Sequence, residues 1–267
     1  LKTAAIQMRS GVDVAANIAA ASELIRAAKD AGAELICTPE MTHFLQKDAD
    51  LLRLGVRTMK DDLGVRAFFA LADELSVHLL IGSLAILRDD GQIANRSVLF
   101  GPDGSIVAQY DKIHLFEAVI STQESYREAD TYTAGTEPVT AHVTDMKMGL
   151  SICYDLRFPA LYGSYARDEV DVIAAPSAFT VATGKAHWET LLRARAIETG
   201  AFIIAPAQGG THEDGRKTWG HSMIIGPWGE IISALDHDKP GYILAELDLA
   251  AVKQARSRVP AWRGESA

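Results

Sequence analysis

Two hydrophobic rhythms alternate along the chain. Nearly continuous apolar runs of strand length occupy residues 3–8, 34–38, 77–86 and 97–100, and again 148–153, 170–175, 201–207 and 222–225. Between them, residues 15–31, 64–76, 161–168 and 188–199 carry apolar side chains three and four positions apart, the spacing that lines one face of a helix. The alternation predicts an α/β layered architecture.

The two halves also match each other. Ser97-Val98-Leu99-Phe100-Gly101-Pro102-Asp103-Gly104-Ser105-Ile106 parallels Ser222-Met223-Ile224-Ile225-Gly226-Pro227-Trp228-Gly229-Glu230-Ile231. Each Gly-Pro-x-Gly reads as a turn between two strands, with Pro presetting φ and Gly supplying the unusual backbone angle. Upstream, Ala33 to Glu40 parallels Val170 to Ser177, and Ala5-Ile6-Gln7 parallels Ser151-Ile152-Cys153. The same elements in the same order, twice, predict two sheets related by an internal pseudo-twofold. Each sheet would pack its inner face on the other and carry helices outside. Neither half could cover its inner face alone, and no Pro/Gly/Ser-rich linker separates them. Residues 1–267 are therefore expected to form one domain, with 249–267 as a C-terminal arm.

Composition narrows the function classes. A formal net charge of −9 argues against nucleic-acid binding, which needs a basic stripe to displace counterions. No apolar run approaches the ~20 residues of a membrane helix, and the first ten residues lack the pattern of a signal peptide. Two cysteines make no disulfide framework, so a reducing cytoplasm is expected. The eight histidines form no HExxH motif or cluster and there is no CxxC, so no metal site is expected.

Departures from the repeat point to chemistry at strand ends, where layered α/β folds place their sites. Cys153 ends a predicted strand before Tyr154-Asp155-Leu156-Arg157-Phe158-Pro159. A sharp strand-to-helix turn there exposes the sulfur and aims the following N–H groups at the same spot, as an acyl-transfer nucleophile requires. The alternative is a core thiol, the common fate of free cysteine, and Cys37 in mid-strand is assigned to it. Glu40 follows Pro39, where the chain must leave the sheet. A carboxylate there can take a thiol proton and later activate water, whereas its repeat partner Ser177 carries no charge. Lys112, in Tyr110-Asp111-Lys112-Ile113-His114-Leu115-Phe116, can lower a thiol pKa and stabilise an oxyanion. A solvated lysine beside Asp111 is the competing reading.

Together the segments resemble the nitrilase superfamily of carbon–nitrogen hydrolases. Thr38-Pro39-Glu40-Met41, the Tyr110 to Phe116 segment and Ile152-Cys153-Tyr154-Asp155-Leu156-Arg157-Phe158-Pro159 are similar to its three catalytic segments, in its order. The resemblance spans Ala4-Ala5-Ile6-Gln7-Met8 to Pro260-Ala261-Trp262. It implies a four-layer αββα sandwich and a Glu–Lys–Cys triad: Cys153 as nucleophile, Glu40 as general base, and Lys112 as oxyanion partner with the Tyr154 N–H. An amide carbonyl is attacked, ammonia leaves, and a thioester on Cys153 is hydrolysed without a cofactor. The superfamily's second glutamate maps onto Glu128 in Tyr126-Arg127-Glu128-Ala129-Asp130-Thr131, with Glu117 and Glu124 as nearby alternatives.

Within the superfamily, three segments are most similar to the Nit-type ω-amidases, particularly the branch acting on deaminated glutathione: Pro176-Ser177-Ala178-Phe179, the stretch Gly184 to Glu198, and Gly220-His221-Ser222-Met223 onward. Such substrates carry carboxylates, so a cationic contact is expected from Arg157, Lys185 or His187. Tyr154, Phe179 and Thr180 are expected to line the pocket. Arg193, Arg195 and Glu198 are read as structural ion pairs of one helix. Hydrolysis of α-ketoglutaramate, N-carbamoyl compounds or aliphatic amides uses the same triad. Two further readings are a catalytically silent scaffold, and an Asp–Lys–Cys enzyme built on Asp13 or Asp111. The resemblance also implies a homodimer or larger even-numbered assembly, through the helical face at 154–167 and an arm at 249–262 laid across a partner.

Overall fold

The computed structural model describes residues 1–121 and 124–263. The first half runs β1 (Lys2–Gln7), α1 (Val14–Asp30), β2 (Leu35–Cys37), α2 (Ala49–Gly55), β3 (Arg57–Thr58) and α3 (Leu63–Leu75). It continues through β4 (His78–Leu87), β5 (Ile93–Phe100) and β6 (Ile106–Asp111). A hairpin of β7 (Glu117–Ser121) and β8 (Glu124–Arg127) follows. The second half runs β9 (Val139–Val143), β10 (Met146–Leu150), α4 (Pro159–Arg167), β11 (Val172–Ala174), α5 (Val181–Thr199) and β12 (Phe202–Ala205). A second hairpin, β13 (Gly209–Thr211) and β14 (Lys217–Trp219), precedes β15 (Met223–Ile225), β16 (Ile231–Ala234), β17 (Gly241–Glu246) and α6 (Leu249–Arg258).

The pseudo-twofold is visible in the strand order. One sheet runs β17-β1-β2-β4-β5-β6, with β3 beside β4; the other runs β9-β10-β11-β12-β15-β16. In each, three parallel central strands are flanked by antiparallel ones. The C-terminal β17 takes in the first sheet the place that β9 takes in the second. Pairing also corrects the register of the repeat. Ala5 faces Cys37 and Leu150 faces Ala174, so Ala5 corresponds to Leu150, and Met8 rather than Gln7 stands where Cys153 stands. Short apolar strands align with each other equally well one residue out; hydrogen bonding decides between the alignments.

Alternation along the first sheet separates its two faces. Ala4, Ile6, Ile36, Leu79 and Ile81 pack with Ala21, Ile25 and Ala28 of α1 and with Phe68, Leu71 and Ala72 of α3. Ala5, Leu35, Cys37, Leu80 and Leu99 instead join the core shared with the second sheet, whose outer face is covered by Tyr162 and Tyr165 of α4 and Trp188 and Leu192 of α5. The layers are therefore helix, sheet, sheet, helix. The halves approach closely at Gly82, where an added Cβ would lie 2.1 Å from Thr38 O and 2.5 Å from Pro176 Cβ. That contact draws the ends of β2 and β11 together.

Several boundaries differ from the sequence pattern. α5 begins at Val181, seven residues before the apolar periodicity starts, capped by Thr180 Oγ1 on Thr183 N at 3.3 Å. Its first turns are largely exposed, with only Gly184 buried, against Trp219. The strand leading to Cys153 ends at Leu150, so Cys153 opens a 3-10 turn instead of closing a strand. In the segment 249–262, Arg256 donates to Thr199 O and Val170 O and stacks on Trp262, while Val252 and Ala255 are buried. Residues 264–267 of the expected arm lie outside the described residues. Among the described residues, no helix is long and apolar enough to cross a membrane.

Candidate active site

Each central side chain is held where the backbone turns sharply. Cys153 has φ of 50°, a left-handed conformation costing a non-glycine residue about 1–3 kcal/mol. Its N–H donates to Pro176 O at 2.9 Å, tying the turn to the end of β11. Glu40 sits after Pro39, and Met41 beyond it has φ of 55° with its N–H on Ser83 Oγ at 2.8 Å. Gln208 Nε2 donates to Glu40 O at 3.0 Å. Lys112 leaves β6 with its N–H on Asn95 O at 3.0 Å. Glu128 closes the β7–β8 hairpin, its N–H on Phe116 O at 2.8 Å and its Oε2 accepting from Phe116 N at 2.7 Å.

These turns bring the four side chains into one buried cluster. Lys112 Nζ lies 2.8 Å from Glu40 Oε1 and 2.8 Å from Glu128 Oε2. Asn95 Nδ2 donates to the same two carboxylates, at 3.0 Å to Glu40 and 2.9 Å to Glu128. An ammonium and an amide thus clamp two carboxylates that would otherwise repel. Burial opposes the charge on Lys112, but Glu128 and Glu40 outweigh it and hold its pKa well above the ordinary lysine value.

The thiol differs from the sequence expectation. Burial raises the Cys153 pKa well above that of an ordinary thiol, and the Glu40 charge raises it further, while Lys112 pulls it down. The first two prevail because Lys112 already balances carboxylates on both sides. Burial and the Glu40 charge thus favour the protonated thiol, in a cluster where one group can give a proton and its neighbour can take it.

A cavity of ≈ 330 Å³ opens over the cluster. All eight residues expected at the site border it: Glu40, Lys112, Glu128 and Cys153, with Tyr154, Arg157, Phe179 and Thr180. The Arg157 guanidinium lies 5.2 Å from the Phe179 ring centroid and 5.9 Å from that of Tyr154. The two hairpins, which sequence periodicity did not register, supply further lining through Tyr126 and Arg127 of β8 and Arg216 beside β14. Among the described residues, no group of three or more His, Cys, Asp or Glu side chains is placed to hold a metal ion.

The family model for carbon–nitrogen hydrolase matches residues 2–257. The chain belongs to the carbon–nitrogen hydrolase family. It is 38% identical over 261 residues to a Synechocystis protein named deaminated glutathione amidase, covering 96% of this chain and 95% of that one. The human protein of that name is 35% identical over 271 residues, covering 97% and 80%. Among solved structures, the Saccharomyces cerevisiae Nit3 of the nitrilase superfamily superposes with a TM-score of 0.88 at 28% identity, covering 97% of this chain and 94% of that one. The Caenorhabditis elegans NitFhit protein gives 0.89 at 32%, covering 99% and 64%.

In this carbon–nitrogen hydrolase, Glu117 is exposed and points to Arg127, away from Lys112, and the Glu124 side chain lies outside the described residues. Asp13 caps α1 and Asp111 pairs with Arg96 at 2.6 and 2.8 Å; neither borders the cavity. Lys185 and His187 are exposed outside it, His187 touching Arg157 at 3.2 Å. Of the residues expected to pair on α5, Arg195 meets Glu198 at 2.7 Å, whereas Arg193 pairs with Glu189 at 3.3 Å. Arg195 also braces the turn after Cys153 through Leu156 O at 3.0 Å.

Asn95 and Asp155 were not found from sequence. Asn95 lies in a strand with an ordinary strand neighbourhood, and only pairing of β5 with β6 carries it to Lys112. Asp155 was visible inside the cysteine segment, but its four donors come mostly from elsewhere in the chain.

Proposed function

We propose that this hydrolase cleaves a carboxylate-bearing amide by way of a thioester on Cys153, and that its substrate is deaminated glutathione. The observation that carries the reading is the shared contact of Lys112 with Glu40 and Glu128 in a cavity that Cys153 and Arg157 also line. The relatives' names supply the substrate.

The steps follow from the positions. Glu40 takes the thiol proton as Sγ attacks the amide carbonyl, so no standing thiolate is needed. Two of the three Lys112 N–H donors are engaged by the carboxylates; the third, with the Tyr154 N–H, meets the oxyanion. Glu40 returns its proton to the leaving nitrogen, then activates the water that hydrolyses the thioester. Glu128 keeps Lys112 charged and aimed throughout. Arg157, resting on Tyr154 and Phe179, binds the keto-acid carboxylate. One expectation changes with this substrate. In glutathione the side-chain carboxyl is joined to the cysteine nitrogen, so the leaving group is cysteinylglycine, and ammonia leaves only from primary amides such as α-ketoglutaramate.

The test is release of 2-oxoglutarate from deaminated glutathione, alongside α-ketoglutaramate, N-carbamoyl amino acids and aliphatic amides, with Cys153→Ala as control. Turnover of deaminated glutathione that vanishes in the variant supports the reading. Turnover of another compound alone replaces the substrate, and silence from all of them favours a scaffold.

A further inference from the structure

The cavity has a second cationic corner that chemistry at Cys153 does not use. Arg216 borders it from the turn between β13 and β14, close enough to Tyr132 for its charge to act on the phenol. Lys47 borders it from the segment before α2, and a Cβ placed on Gly215 would lie 3.4 Å from Lys47 Nζ. The two cations therefore converge from segments about 170 residues apart in sequence.

Arg216 is incompletely satisfied there. Its side chain is 21% exposed, and Nη2 lies 3.5 Å from Asp214 Oδ2, a long contact for an ion pair. Among the described residues, its buried Nε–H finds no hydrogen-bond acceptor. A buried N–H is costly to leave unpaired, and a planar guanidinium fork beside a cavity matches a carboxylate in two places. Arg157 is engaged otherwise, its guanidinium held over the Tyr154 and Phe179 rings.

The direction of the substrate follows from the proton path. The leaving nitrogen must face Glu40 to receive its proton, and Glu40 shares its cavity with Lys47 and Arg216. We propose that Arg216, assisted by Lys47, binds a carboxylate carried by the leaving amine. The enzyme would then select amides whose leaving group ends like a peptide C-terminus. This rests on the roles of Cys153 and Glu40 proposed above.

Deaminated glutathione and α-ketoglutaramate form the same thioester and differ only in the leaving group, so their kcat/KM ratio isolates the subsite. In Arg216→Gln the ratio should fall about tenfold to a hundredfold, the range of one hydrogen bond to a charged group. Lys47→Met, at an exposed residue that does not threaten folding, should lower it severalfold. A ratio within twofold of wild type in both variants overturns the proposal. If the wild type hydrolyses neither compound, the substrate reading fails and the subsite is judged by binding. In Cys153→Ala protein, N-glutaryl-alanylglycine should then bind at least tenfold tighter than N-glutaryl-alanylglycinamide by calorimetry, and Arg216→Gln should erase the difference. No difference, including no binding of either, overturns the subsite as well.

Discussion

The Tyr110 hydroxyl donates to Asp155 Oδ2 at 2.7 Å, fastening the strand that leads into Lys112 to the turn that carries Cys153. Asp155 is fully buried and accepts three more hydrogen bonds, from Ile152 N at 2.9 Å, His114 N at 3.0 Å and His114 Nδ1 at 2.7 Å. Burial and the Asp155 charge push the Tyr110 pKa far up, so the phenol remains a donor.

Asp155→Ala should therefore damage both halves of the cluster at once. Each donor left unpaired costs about 1–3 kcal/mol, so a drop of several kcal/mol in urea unfolding is expected, with loss of turnover. Asp155→Asn, which retains an acceptor oxygen and the side-chain volume, should recover part of both. Full activity in the alanine variant would show that the link is idle.

Glu40→Gln separates the two effects of that carboxylate. Removing an anion beside the thiol stabilises the thiolate, so the Cys153 pKa should move down and alkylation by iodoacetamide should begin at lower pH. Amide turnover should nonetheless fall by roughly 10²–10⁴-fold, the usual contribution of a positioned base. An alkylation profile shifted to higher pH would contradict the assigned proton path.

His212 gives the site a pH-dependent support. It is buried, with Nδ1 2.7 Å from Ser10 O and Nε2 2.7 Å from Thr218 Oγ1, and burial lowers its pKa. Because the folded state binds the proton less readily than the unfolded chain, His212 contributes stability that is present above its unfolded pKa of about 6.5 and lost as pH falls below it. The urea midpoint should decline between pH 7 and pH 5, less steeply in His212→Gln. Equal slopes for the two proteins would remove His212 from the account.

The order of the central strands and their flanking helices, the internal repeat and the positions of Glu40, Lys112 and Cys153 were legible in the sequence, because periodicity, Pro39, and the paired Gly-Pro-x-Gly turns are local signals. Resemblance then gave those residues roles and added Glu128, Arg157, Phe179 and Thr180, all of which border one cavity. Tertiary structure alone decided what surrounds them. Asn95 reaches Glu40 across 55 positions and Tyr110 reaches Asp155 across 45, separations that no local spacing encodes. It likewise decided that the Cys153 thiol is raised rather than lowered in pKa, since that depends on burial and on how Lys112 divides its charge between two carboxylates. The sequence determined which groups are available; three-dimensional proximity and exclusion of water determined which of them act on one another.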